Sequence, residues 1–199
     1  MELLLWRWST TAQIASALMI AVFFIVLTRS VRRPELQLWV NAWLANLAAL
    51  AVTVIFWFLQ PAELTFLIVR VGYIFTKTLF VALLAAGAWR FVRPKLGARE
   101  NRRILLAIAA FAGVAALLTP RIEQLGVVQS AAIAILLGAS AMLLVVKRVP
   151  GSGWLAAGFA LRAILGAVEA IAYGSQLRPM PWLQQETGIF LSAHSSFDT

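Results

Sequence analysis

Two apolar stretches carry charges at helical spacing. Arg70 and Lys77 lie within Thr65 to Ala88, and Arg162 and Glu169 lie within Trp154 to Tyr173. Each pair is separated by seven residues, which puts both members on one face of a helix. A charge inside so apolar a segment is costly. It ordinarily faces protein or a polar cavity and has a partner. The chemistry open to such a set is ion pairing, capture of an anion, or relay of a charge-dependent signal.

The elements that hold these residues are membrane-length helices. The chain has 199 residues, 62% of them hydrophobic and 13% charged. A soluble domain is nearer to half apolar and a quarter charged. Several apolar runs approach the twenty residues that a helix needs to cross a bilayer. They lack the short alternating segments of a membrane barrel. The expected fold is all-α: a polytopic transmembrane helix bundle in a single membrane domain. Its spans fall at about 12–27, 36–59, 65–88, 104–118, 127–146 and 154–173, with 186–199 as the start of a seventh helix. Trp6 and Trp8 before the first span, and Trp39, Trp43 and Trp57 in the second, read as interfacial anchors. Asn41, Asn46, Gly138, Ser140, Gly158 and Gly166 read as helix-packing positions.

Loop charge sets the orientation. The segments after the first, third and fifth spans hold three, six and two Lys or Arg residues, and the intervening segments hold three. By the positive-inside rule the N-terminus is outside. The basic loops then face the cytoplasm, with membrane lipids as partners. The net charge of +9 is accounted for by these loops and does not call for nucleic acid. No cysteine and a single histidine, His194, exclude disulfides, thiolate metal sites and a multi-histidine site within one chain. No metal or cofactor is expected. Ser192, Ser195 and Ser196 lack the Gly-x-Ser-x-Gly elbow of a serine hydrolase, and no catalytic residue is assigned.

Depth suggests which charges meet. At the helical rise, Arg70 and Glu169 lie roughly 8 and 7 Å from the outer ends of their spans, level enough to pair. Lys77 and Arg162 share a layer roughly 17 to 19 Å down, and Asp198 on a seventh helix falls at roughly 18 Å. His194 sits one turn from Asp198 on the same face. Three cations then face two anions. Either an anionic ligand such as a fatty-acid carboxylate completes the set, or the charges form a network that only fixes packing. The candidate ligand-binding or relay residues are Arg70, Lys77, Arg162, Glu169, His194 and Asp198.

The segments RRPELQLWVNAWLANLAAL, VGYIFTKTLFVALLAAGAW and FLSAHSSFDT resemble the N-terminal multi-pass sensor regions of bacterial signalling proteins. The resemblance implies a setting in the bacterial cytoplasmic (inner) membrane and a cytoplasmic output domain beyond residue 199, a GGDEF diguanylate cyclase or a histidine kinase, working as a homodimer. The 199 residues contain neither a GGDEF motif nor a coiled-coil linker. The expectation is therefore a sensory domain that passes an anionic or lipid-like signal to that output. The alternative is a small membrane transporter or membrane enzyme with the same charges along a substrate path.

Overall fold

A computed structural model describes residues 2–31, 33–59, 63–92, 98–148 and 150–177. Every regular element among them is an α-helix: α1 (Glu2–Ser30), α2 (Pro34–Leu59), α3 (Glu63–Val92), α4 (Ala98–Leu118), α5 (Ile122–Lys147) and α6 (Gly153–Leu177). Breakers in the sequence set the boundaries. Pro34 opens α2, where its missing N–H costs nothing. Pro120 follows the end of α4. Arg148 closes α5 in the left-handed conformation, with its N–H donating to Val145 O. Gly151, at φ +78°, then turns the chain into α6.

Four segments are long and apolar enough to cross a membrane: Glu35–Ile55, Thr65–Val92, Glu123–Lys147 and Gly153–Leu177. This marks a membrane protein. The first helix departs from expectation because MELLLWRWST continues the helix back to Glu2 instead of forming a separate surface segment. That stretch has no Gly or Pro and is rich in helix formers. Among the residues whose burial is described, Ile14–Ser30 is the apolar segment of α1. The fourth helix begins with the polar run ARENRR, so its apolar part is short. The expected seventh helix, with Ser192, His194, Ser195, Ser196 and Asp198, lies outside the described residues.

The third helix is the hub, packing against α2, α4 and α5. One core joins Val81 and Ala88 of α3 to Ile133, Leu137, Ala141 and Leu144 of α5, and to Ala156, Phe159 and Ala163 of α6. A second joins Ile74 of α3 to Ala112, Ala115 and Ala116 of α4 and Leu125 of α5. Helix α6 packs on α5 alone among the described helices. It buries Ala156, Phe159, Ala163, Gly166, Glu169, Ala172 and Ser175 along one stripe and leaves Leu161, Ile164, Val168 and Ile171 exposed. The stripe follows the three-to-four-residue helical repeat.

The α5–α6 contact is made by small residues. A methyl added at Gly166 would lie 3.1 Å from Ser130 O and 3.3 Å from Ala134 N, so the two backbones are nearly in contact. Gly126 makes room for the Tyr173 ring, and Gly138 faces Ala163 Cβ. Small residues let membrane helices approach closely enough to gain dispersion contact. Gly158 plays no such part, being exposed with nothing close by.

Candidate functional site

The antiparallel register of α5 and α6 sets Ser130 beside Glu169. The Glu169 carboxylate is buried. One oxygen, Oε1, accepts from Arg162 Nη1 at 2.9 Å, and Oε2 accepts from Ser130 Oγ at 3.0 Å. Arg162 and Glu169 are two turns apart, roughly 10 Å along the axis, and their side chains close that gap. The pair straddles the middle of α6. Glu169 thus takes the arginine of its own helix rather than Arg70. The level-by-level pairing fails because depth alone does not say which helices are neighbours, and α5 stands between α3 and α6.

Arg70 turns to α4. Its Nη2 donates to Ala116 O at 2.5 Å and also to Thr119 O, and its guanidinium lies 5.5 Å from the centre of the Phe66 ring. The last carbonyls of a helix have no intrahelical partner, and a cation there also complements the helix dipole. Arg70 therefore acts as a C-terminal cap supplied from a neighbouring helix. Thr119 adds to the same end, its hydroxyl donating to Ala115 O.

Lys77 turns the other way, to α2. Its Nζ donates to Asn46 Oδ1 at 3.3 Å. Both lie near the middle of their helices: Lys77 is roughly 18 Å from Thr65 along α3. The seam around them is aromatic. Trp43 and Phe80 rings sit 5.2 Å apart. Trp39 occupies the space that a side chain on Gly87 would fill and meets Phe24 of α1 edge-on. Trp39 and Trp43 are thus packing residues of the α2–α3 seam rather than surface anchors. Trp89 and Trp154, exposed near the ends of α3 and α6, sit where an interfacial tryptophan belongs. Of the two asparagines, Asn46 is buried and bridges helices, while Asn41 is exposed.

The expected single cluster is therefore three separate sites. Two of the three intramembrane cations are held by neutral oxygens, and one is held by a carboxylate. A lysine ammonium has three donors, and Asn46 is the one partner of Lys77 among the described residues. Ser130 was not singled out from the sequence. Its signal is a small polar residue four positions from Gly126 and from Ala134, within a small-residue row on a membrane helix. His194 and Asp198 lie outside the described residues.

The helices and their buried charges define an α-helical membrane protein with charged residues held inside the bundle. No family model, curated protein or solved structure matches the chain.

Proposed function

We propose that the chain is a membrane-embedded sensory domain whose ligand is an anion with a lipid-like tail, such as a fatty acid. The observation that carries this is Lys77: an ammonium midway along α3, held by a single amide oxygen in a seam otherwise built of aromatic and aliphatic side chains. A carboxylate placed there gains a charge-assisted bond at least as strong as the amide contact it supplements or replaces. Engagement of Lys77 alters the α2–α3 packing around Trp43 and Phe80. A ligand biases such an equilibrium only by binding one arrangement better than the other.

All six helices cross the bacterial inner membrane in this proposal, with the N-terminus outside. Support comes from the charge distribution. Arg29, Arg33, Arg102, Arg103, Lys147 and Arg148 are all exposed at one end of the antiparallel bundle. Arg121 is the exposed cation at the other end among the described residues. The signal would pass to a dimeric cytoplasmic output, a diguanylate cyclase in first place.

The test uses the full-length gene product in lipid nanodiscs. Binding of a spin-labelled stearate is measured for wild type, Lys77→Met and Asn46→Leu, together with cyclic-di-GMP synthesis. Lys77→Met is expected to lower stearate affinity at least tenfold and to uncouple synthesis from added fatty acid. Asn46→Leu, which frees Lys77, is expected to retain or strengthen binding. Unchanged stearate binding by folded Lys77→Met overturns the ligand assignment. Stearate binding without any change in output moves the chain to the transporter or membrane-enzyme class.

A further inference from the structure

The two hydrophobic cores are divided by a polar layer. Ile74 of α3 and Leu125 of α5 belong to one core, and Val81 of α3 and Ile133 of α5 belong to the other. Between them on α3 lies Thr78, four residues past Ile74 and three before Val81. Between them on α5 lies Gln129, four residues from Leu125 and four from Ile133. Helical spacing keeps each on the face its apolar neighbours occupy, so Thr78 and Gln129 meet at one level of the α3–α5 interface. Both are buried, at 9% and 8% exposure. Neither is satisfied locally. Thr28, Thr53, Thr76 and Thr119 donate their hydroxyls to carbonyls three or four residues back, the common accommodation of a threonine in a helix. The Thr78 hydroxyl makes no such bond. Neither it nor the Gln129 amide has a hydrogen-bond partner among the described residues. Buried polar groups ordinarily find one in protein or in ordered water.

The chain neighbours of these two residues are the polar groups described above. Lys77 precedes Thr78 and donates to Asn46 of α2. Ser130 follows Gln129 and donates to Glu169 of α6, which also accepts from Arg162. We propose that Thr78 and Gln129, bridged by a buried water, are the link that couples Lys77 to the Ser130–Glu169–Arg162 group, so that one polar belt crosses the bundle from α2 to α6. The water accepts an amide N–H from Gln129 and donates to the Thr78 oxygen, and the Thr78 hydroxyl keeps its proton for a further acceptor. Coupling follows from the helices being rigid over adjacent residues. A turn of α3 that changes how Lys77 meets Asn46 also moves Thr78 against Gln129, and Gln129 carries Ser130 with it. The belt ties the aromatic α2–α3 seam to the close-packed α5–α6 pair. By linkage, a change at either end is felt equally at the other. The coupling is a property of the chain itself and does not depend on the sensory proposal or on any ligand.

The test is a double-mutant cycle between the two ends of the belt, Lys77→Met and Ser130→Ala, on the full chain unfolded reversibly by SDS in mixed micelles. Ser130→Ala changes no charge, so a direct field between the two sites does not enter the cycle. The two substitutions are expected to depart from additivity by at least fivefold in the unfolding equilibrium constant. The cycle is then repeated with Gln129→Leu and, separately, with Thr78→Val in the background. Each is expected to bring the departure below twofold. A residue that only contributed to packing would change the stability of all four members of the cycle and leave their coupling intact. Thr78→Val, close to isosteric, decides the matter if Gln129→Leu lowers helix content by circular dichroism. Additivity in the otherwise wild-type chain overturns the proposal, because the two sites are then independent. Coupling that persists in a folded Thr78→Val or Gln129→Leu background also overturns it, because the coupling then runs through packing alone.

Discussion

Replacing Arg162 by Met leaves the Glu169 carboxylate buried against α5, with Ser130 still donating at 3.0 Å but the 2.9 Å ion pair gone. Breaking a buried pair from one side costs about 3–5 kcal/mol, because a desolvated charge remains. Removing both charges is far milder, since replacing a buried pair by apolar residues of similar size is often neutral or better. In the double variant Arg162→Met/Glu169→Met the Ser130 hydroxyl loses its acceptor, at about 1 kcal/mol, unless it bonds back to its own helix. The double variant should therefore fall within about 1–2 kcal/mol of wild type, less destabilised than Arg162→Met alone. The assay is reversible unfolding by SDS in mixed micelles, followed by tryptophan fluorescence and helical circular dichroism. A double-mutant cycle gives the coupling. Additivity of the two single substitutions within about 0.5 kcal/mol would mean that the pair is incidental to the fold.

Gly166→Val presses two methyls into the Ser130–Ala134 backbone. It should destabilise by about 1–3 kcal/mol, the range for overpacking, in the same SDS titration; Gly158→Val, at an open position, should be neutral or slightly stabilising, because valine has the better helix propensity. Gly87→Ala drives a methyl into the Trp39 indole and should cost a similar amount, recovered when Trp39→Leu is combined with it. Arg70→Met leaves Ala116 O and Thr119 O without their charged donor and should cost about 1–3 kcal/mol. Hydrogen exchange should show faster opening in the last turn of α4, with α2 and α6 unchanged; equal acceleration in all helices would refute the capping role.

Much of the architecture is written in the sequence as hydropathy and punctuation. The helix ends at Pro34, Leu118 and Lys147 follow from Pro34, Pro120 and the Lys147–Gly151 turn, and the exposed cations fall at one end because the loops alternate in charge. Partner identity is not written there. Arg70 and Lys77 share a face, yet their long side chains diverge, one to α4 and one to α2. A seven-residue spacing fixes where side chains start, not where a flexible cation ends. The Arg162–Glu169 spacing does read directly, because both residues sit on one rigid helix. Ser130 was missed for a related reason. Its importance comes from the α5–α6 register, which is set by Gly126, Gly138 and Gly166 acting across the interface.

These seams differ in what they can do. Along α5 and α6, glycines bring the backbones nearly into contact at Gly166, and the buried Glu169 carboxylate is bonded through both oxygens. Moving α6 requires giving up an ion pair, a hydrogen bond and a close-packed surface together. Along α2 and α3, the contact is made by large rings at Trp39, Trp43 and Phe80, and the half-buried Lys77 holds a single neutral acceptor at 3.3 Å among the described residues. Aromatic side chains can re-pack through rotamer changes where glycine contacts cannot, and exchanging an amide for a carboxylate strengthens the bond to Lys77. The α5–α6 seam is therefore suited to be the fixed frame. The α2–α3 seam is where a small anionic group has most to gain by binding, and where its binding has the least structure to break.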